Sequence, residues 1–190
     1  MRQSIFNFQF SIFKRNVGFT LIELLIVMGV LVTVGLIIAT IIVSALRGSN
    51  KTNTVNIVRQ NGNYAISQVS KMLEFAQSFE GVSTDNVNYS TLCSSPNTLY
   101  NYIKIRAFDG GQTIFSCNTA ASTISSNSAS LINPNDVKLV SCSFTCSRNI
   151  SVPPTIGIDF TLTQKSQSNF FENKAQIEFK TSVIMRNLNK

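Results

Sequence analysis

Residues Gly18–Leu46 read GFTLIELLIVMGVLVTVGLIIATIIVSAL, and Glu23 is the only charged residue among them. The 23 residues after Glu23 are uncharged and mostly apolar. That exceeds the ~20 residues an α-helix needs to cross a hydrocarbon layer ~30 Å thick. A spanning segment must pair every backbone N–H and C=O internally, so a helix is the form available to it despite its many β-branched residues. Lys14 and Arg15 precede the run, while Arg47 and Lys51 follow it. The stretch before the run holds Arg2, Lys14 and Arg15 and no acid, which predicts that it stays cytoplasmic and that the C-terminal body is exported.

Glu23 lies inside the apolar run rather than at its edge. An acid there costs a few kcal/mol on insertion scales, so it marks a function and needs a partner. The junction reads Lys14-Arg15-Asn16-Val17-Gly18-Phe19-Thr20-Leu21-Ile22-Glu23: a basic leader ending in glycine, then phenylalanine, with the acid five residues after the glycine. Over residues 14–46 the chain resembles the type IV prepilin superfamily, which comprises subunits of type IV pili, type II secretion pseudopilins and competence pseudopili.

The resemblance implies the following roles. Gly18 ends a leader, residues 1–18, that a membrane prepilin peptidase removes on the cytoplasmic face. Glycine suits that position because it lacks a Cβ and lets a protease approach the backbone. Phe19 becomes the new N-terminus and is N-methylated. Glu23 pairs with the amine of a neighbouring subunit's Phe19, which supplies the partner a buried carboxylate requires. The implied partners are the peptidase, other pilin or pseudopilin subunits, an assembly ATPase, a platform protein and the inner membrane. The competing reading is a plain signal anchor whose Glu23 snorkels to the interface, which explains neither the glycine nor the spacing.

Two departures from the family pattern bear on the subunit's role. Many major subunits carry proline 22 residues after the cut, where this chain has Thr40. Proline breaks the helical ladder, so its absence predicts a straighter membrane helix and favours a minor subunit. The leader is also long, and Ile5, Phe6, Phe8, Phe10, Ile12 and Phe13 make it unusually apolar. It either lies along the membrane surface or begins at a later start codon.

Beyond Leu46 the helical period continues. Val55, Val58, Gly62, Ala65, Val69, Met72, Ala76 and Phe79 recur in steps of three and four, with polar residues between. One helix to about residue 79 is expected, with Gly81 as its stop and Gly48-Ser49-Asn50 as a weak point. Gly29/Thr33 and Gly35/Ala39 have the small-xxx-small spacing that suits helix packing.

Residues 82–97 are polar and turn-rich and read as a loop. Tyr102–Ala107 and Gln112–Asn118 alternate around Asp109-Gly110-Gly111, which predicts a hairpin. Residues 119–136 are Ser/Asn-rich without a period and read as a long exposed loop. Val137–Ser147, Thr155–Gln164 and Lys174–Arg186 read as three further strands. One apolar face per strand argues for an antiparallel sheet covered on one side. The amphipathic half of the helix is the matching cover. The expected fold is therefore α+β, a long N-terminal helix packed on a small antiparallel sheet. Its expected divisions are 1–18, 19–46 and an exported domain over 47–190. This is also the pilin architecture.

Cys93, Cys117, Cys142 and Cys146 all fall in the exported part. An even number in an oxidising compartment reads as two disulfides with three possible connectivities. If Cys142 and Cys146 share an extended strand they stand ~13 Å apart, too far to bridge. Cys117–Cys142 across neighbouring strands, with Cys93–Cys146, is the preferred pairing. Zinc is the rival reading and ranks lower, because the chain has no histidine and its only close pair is C-x3-C.

The same lack of histidine removes Ser-His and Cys-His chemistry, and no phosphate-cradling glycine loop occurs. An enzyme is not expected, nor a cofactor or a metal. The whole chain carries +7. Without the leader's Arg2, Lys14 and Arg15 the balance falls to 13 basic against 9 acidic residues, or +4. Nucleic acid is a conceivable partner on that balance, yet the cations are dispersed along the sequence. The leading expectation is a structural filament subunit; the alternatives are a DNA- or surface-binding minor pilin and a generic membrane-anchored domain.

Overall fold

The structure, a computed structural model, describes residues 18, 20–93, 98–148, 153–165 and 174–186. The leader residues 1–17 and Phe19 lie outside the described residues. The chain divides into two units, residues 1–45 and 46–190.

A single helix, α1 (Leu21–Glu74), begins in the first unit and ends in the second. It passes through Gly48-Ser49-Asn50 without a break, and there the Thr52 hydroxyl donates to Gly48 O at 3.0 Å. In the first unit every described apolar side chain of α1 is exposed. The helix is long and apolar enough to cross a membrane. Thr33 and Thr40 return their hydroxyls to Val30 O and Ile37 O, which satisfies those polar groups inside the apolar run.

In the second unit α1 buries Thr54, Val58, Gly62, Ala65, Val69 and Leu73, a stripe in steps of four and three. Val55 and Met72, expected in that stripe, are only half-buried, and Thr54 and Leu73 take the inward positions instead.

Among the described residues eight strands follow: β1 (Ser78–Ser83), β2 (Tyr102–Arg106), β3 (Gln112–Asn118), β4 (Thr123–Ser126), β5 (Ala129–Ser130), β6 (Val137–Ser147), β7 (Thr155–Gln164) and β8 (Gln176–Ile184). They form two antiparallel sheets, β1-β2-β3-β4-β5 and β6-β7-β8. The single sheet expected from the sequence is thus split. Tyr100, two residues before β2, and Phe144 of β6 form an isolated bridge between the sheets, exchanging backbone hydrogen bonds of 2.8 Å. The α+β class stands, with helix and strands sharing one core. Val58, Val69 and Leu73 of α1 join Ile103, Ile105 and Phe115 of the larger sheet and Phe144, Ile158, Phe160 and Leu162 of the smaller one.

The helix stops five residues short of the expected end. Beyond Glu74 the backbone finds other partners: Gln77 N–H donates to Arg106 O at 2.8 Å, and Arg186 N–H donates to Glu74 O at 3.0 Å. Phe79, which continues the helical spacing, lies in β1 opposite Ile105. Gly81 is not a helix stop. It sits at a bulge of β1 with φ of 134°, where a Cβ would approach Ser90 O to 2.9 Å.

The loop expected over 82–97 starts later, since Val82 and Ser83 belong to β1 and Val82 bridges Ser90. The loop expected over 119–136 contains β4 and β5, with Ile124 and Ser125 buried. Asn127 and Ser128 join these two strands with φ of 46° and 70°, the left-handed geometry of a tight hairpin turn. The Asn127 side chain and backbone also bond β3: Ile114 N–H donates to Asn127 Oδ1 at 2.8 Å and Asn127 N–H to Ile114 O at 2.9 Å. The hairpin over Asp109-Gly110-Gly111 forms as expected, with Gly110 at φ of 82°.

Candidate functional site

Of the residues singled out at the N-terminus, Gly18 and Glu23 are among the described residues and Phe19 is not. Gly18 is exposed and outside the helix, and nothing lies within 4 Å of where its Cβ would be. Thr20 is the N-cap. Its hydroxyl oxygen accepts the Glu23 N–H at 3.3 Å, and its carbonyl accepts Glu23 N–H at 3.1 Å and Leu24 N–H at 3.2 Å. Thr20-Leu21-Ile22-Glu23 has the spacing of a capping box, in which the hydroxyl satisfies one of the unpaired N–H groups that open a helix. Glu23 therefore stands in the first turn, where the positive end of the helix dipole favours an anion. The T-x-x-E spacing of a helix start is a second sequence signal at Glu23, beside its place in the apolar run and its distance from Gly18.

The four cysteines form two disulfides, Cys93–Cys146 and Cys117–Cys142, with Cα atoms 5.2 and 5.5 Å apart. This is the preferred pairing of the sequence reading. Both bonds consume the thiolates a zinc site would need. Cys142 and Cys146 both belong to β6, so one strand takes both cross-links. Cys117 lies on β3, which makes its bond to Cys142 a covalent tie between the two sheets. Cys93 follows the β1 loop, so its bond to Cys146 ties that loop down beside the Tyr100–Phe144 bridge.

Two polar constellations lie elsewhere on the second unit. Glu80 on β1 accepts Arg106 at 3.0 Å and Gln112 at 3.0 Å, with Lys104 at 3.6 Å. One carboxylate thus faces two cations of β2 and an amide of β3 across the sheet. Asp85 accepts the Ser83 hydroxyl at 2.7 Å, the Asn88 and Val87 N–H groups at 2.9 and 3.0 Å, and the Asn88 amide at 2.9 Å. These donors hold its carboxyl well below the usual carboxylate range, the Ser83 bond contributing most. All four of these bonds come from its own loop, which makes Asp85 a loop-former.

An open groove of about 480 Å³ crosses the smaller sheet among Ser143, Thr145, Asp159 and Lys180, and there Lys180 Nζ meets Asp159 Oδ2 at 3.2 Å. No group of three or more His, Cys, Asp and Glu able to hold a metal ion occurs among the described residues. Compared with protein-family models, curated proteins and solved structures, the chain matches none.

Proposed function

We propose that the chain is a structural subunit, of the minor class, of a type IV pilus or type II secretion-like filament. One observation carries this reading: a lone carboxylate in the first turn of a helix whose stretch through Leu46 is otherwise uncharged and exposed, three residues beyond a capping threonine and five beyond an open glycine. The long apolar helix joined to an α+β, disulfide-bonded domain supports it.

On this reading the chain first stands in the inner membrane with residues 47–190 outside. A prepilin peptidase hydrolyses the Gly18–Phe19 bond, and the new Phe19 amine is methylated. The helix then leaves the bilayer for a bundle of like helices, moved by an assembly ATPase and a platform protein. Glu23 meets the Phe19 amine of the next subunit. Opposite charges ~4 Å apart at an effective dielectric near 20 attract by about 4 kcal/mol before desolvation is deducted, enough to set the axial register between subunits. Thr40, in place of a proline, leaves the helical ladder intact through the span.

N-terminal sequencing and intact-mass measurement of the mature protein test the proposal. The expected product begins at methylated Phe19. Recovery from working cells of a chain that still starts at Met1 and bears no methyl group overturns it.

A further inference from the structure

The cations that look dispersed in the sequence are gathered by the smaller sheet at one end. Lys165 immediately follows β7, and its N–H donates to Asp136 O, just before β6, at 2.9 Å. On the other side Gln164 N–H donates to Ala175 O at 3.1 Å, which brings Lys174 alongside. Lys138 lies one row further in, paired with Thr163, which in turn pairs with Gln176. Three adjacent chain segments, ~5 Å apart, thus each present an exposed lysine at the same end of the sheet.

That end is the one beside the helix exit. The Lys51 ammonium donates to Lys174 O. Lys51 is five residues past Leu46, the last residue of the apolar run, and Arg47 is one residue past it. At 1.5 Å per residue Lys51 is ~7.5 Å from that boundary, the depth of one headgroup layer. Among the described residues, Asp136 is the one acid in these rows, and its carboxylate already accepts Asn133 Nδ2 at 2.6 Å. Glu178 is four residues further along β8 from Lys174.

We propose that Lys51, Lys138, Lys165 and Lys174, with Arg47, form a basic base on the exported domain that rests on anionic phospholipid headgroups while the chain stands in the bilayer. The proposal depends on the membrane-inserted stage of the function given above and adds a lipid contact to it. Position selects lipid over nucleic acid: covalent continuity with the apolar run places Lys51 at the headgroups, and Lys174 is hydrogen-bonded to it. Basic side chains so placed are drawn to an anionic leaflet, and the attraction fades within a Debye length of ~10 Å. Extraction into a filament must then break these contacts, so the base acts as a latch on the monomeric state.

The test is amine acylation of the full chain reconstituted in vesicles, read site by site by mass spectrometry. Lys180, six residues along β8 from Lys174, serves as the internal control. In vesicles holding about one third phosphatidylglycerol, acylation of the four basal lysines is expected to slow about fivefold relative to Lys180, a factor that corresponds to the attraction of one basic residue. The difference should vanish in about 1 M salt. Equal rates in anionic and neutral phosphatidylcholine vesicles overturn the proposal. So does protection by duplex DNA of the detergent-solubilised chain when anionic vesicles give none. Release of the chain from vesicles by alkaline carbonate removes the membrane reading itself, an outcome distinct from an inserted chain with unprotected lysines.

Discussion

The ring of Phe179 on β8 occupies the place where a side chain at Gly62 would stand, so α1 and the smaller sheet are in contact through a missing Cβ. Phe179 also stacks on Phe160 of β7, its direct cross-strand neighbour, with ring centroids 5.2 Å apart. Gly62 costs helix propensity of about 1 kcal/mol relative to alanine, and the close approach of the sheet is what that cost secures. Gly62→Val should destabilise the chain by about 1–3 kcal/mol through overpacking, read as a lower unfolding midpoint in urea. Gly62→Val combined with Phe179→Ala should be less harmful than the two single changes added together, because the clash is then absent.

The cross-links differ in the length of chain they close. The cysteines of the Cys117–Cys142 bond are 25 residues apart, and those of Cys93–Cys146 are 53 apart. On loop-closure entropy alone these stabilise by about 3.5 and about 4 kcal/mol. Replacing both cysteines of either pair by serine should lower the thermal midpoint. With the inner bond in place Cys93–Cys146 closes an effective loop of only about 28 residues, so on closure alone the two losses should be nearly equal. A larger loss from Cys117→Ser/Cys142→Ser would mean that the tie between the sheets outweighs loop length.

Asp85 sets a pH dependence. Its hydrogen bonds hold the folded-state pKa below the unfolded value, so the folded chain binds fewer protons than the unfolded one in the acid range. The contribution is complete above the unfolded carboxylate pKa and is lost as the pH falls through the folded one. Denaturant midpoints measured from about pH 5 downward should therefore decline more steeply for the parent chain than for Asp85→Asn.

On the proposed filament role, Glu23→Ala should leave cleavage after Gly18 unaffected and block entry into filaments. Immunoblotting of membrane and sheared-filament fractions checks both halves at once. Normal incorporation of the variant would remove the role assigned to the carboxylate. Thr20→Val, which deletes the capping hydroxyl while keeping the residue's shape, should cost the first helical turn about 1 kcal/mol. That cost is visible as faster amide exchange at Glu23 and Leu24.

Where side-chain alternation is strong, the residues alone mark the strands. Ile156, Ile158, Phe160 and Leu162 are all buried, and their β7 neighbours are all half-buried. The pattern failed where polar residues turn inward. Ser125 is buried with its hydroxyl 2.6 Å from that of Ser116, so β4 has no apolar rhythm to reveal it. The helix end was misplaced because Ala76 and Phe79 satisfy the helical period and are also buried or half-buried by the sheet. Periodicity reports which residues turn inward and is silent on what backbone partner they take. The split into two sheets depends on Tyr100 and Phe144 forming a lone bridge, a long-range pairing that no local pattern encodes. Of the N-terminal residues, the acid and the glycine stand out against the apolar run, while Thr20 is one of several threonines and shows its capping role only in the structure.

The nested disulfides have a mechanical consequence. The Cys117–Cys142 loop lies wholly inside the one closed by Cys93 and Cys146, and both end on β6. A force drawing the polypeptide out by its two ends bypasses everything between Cys93 and Cys146. Those 53 steps would otherwise release about 180 Å of slack. Under tension only the stretches outside Cys93 and Cys146 can be drawn out, and the length between them stays withheld even after the shared core has come apart.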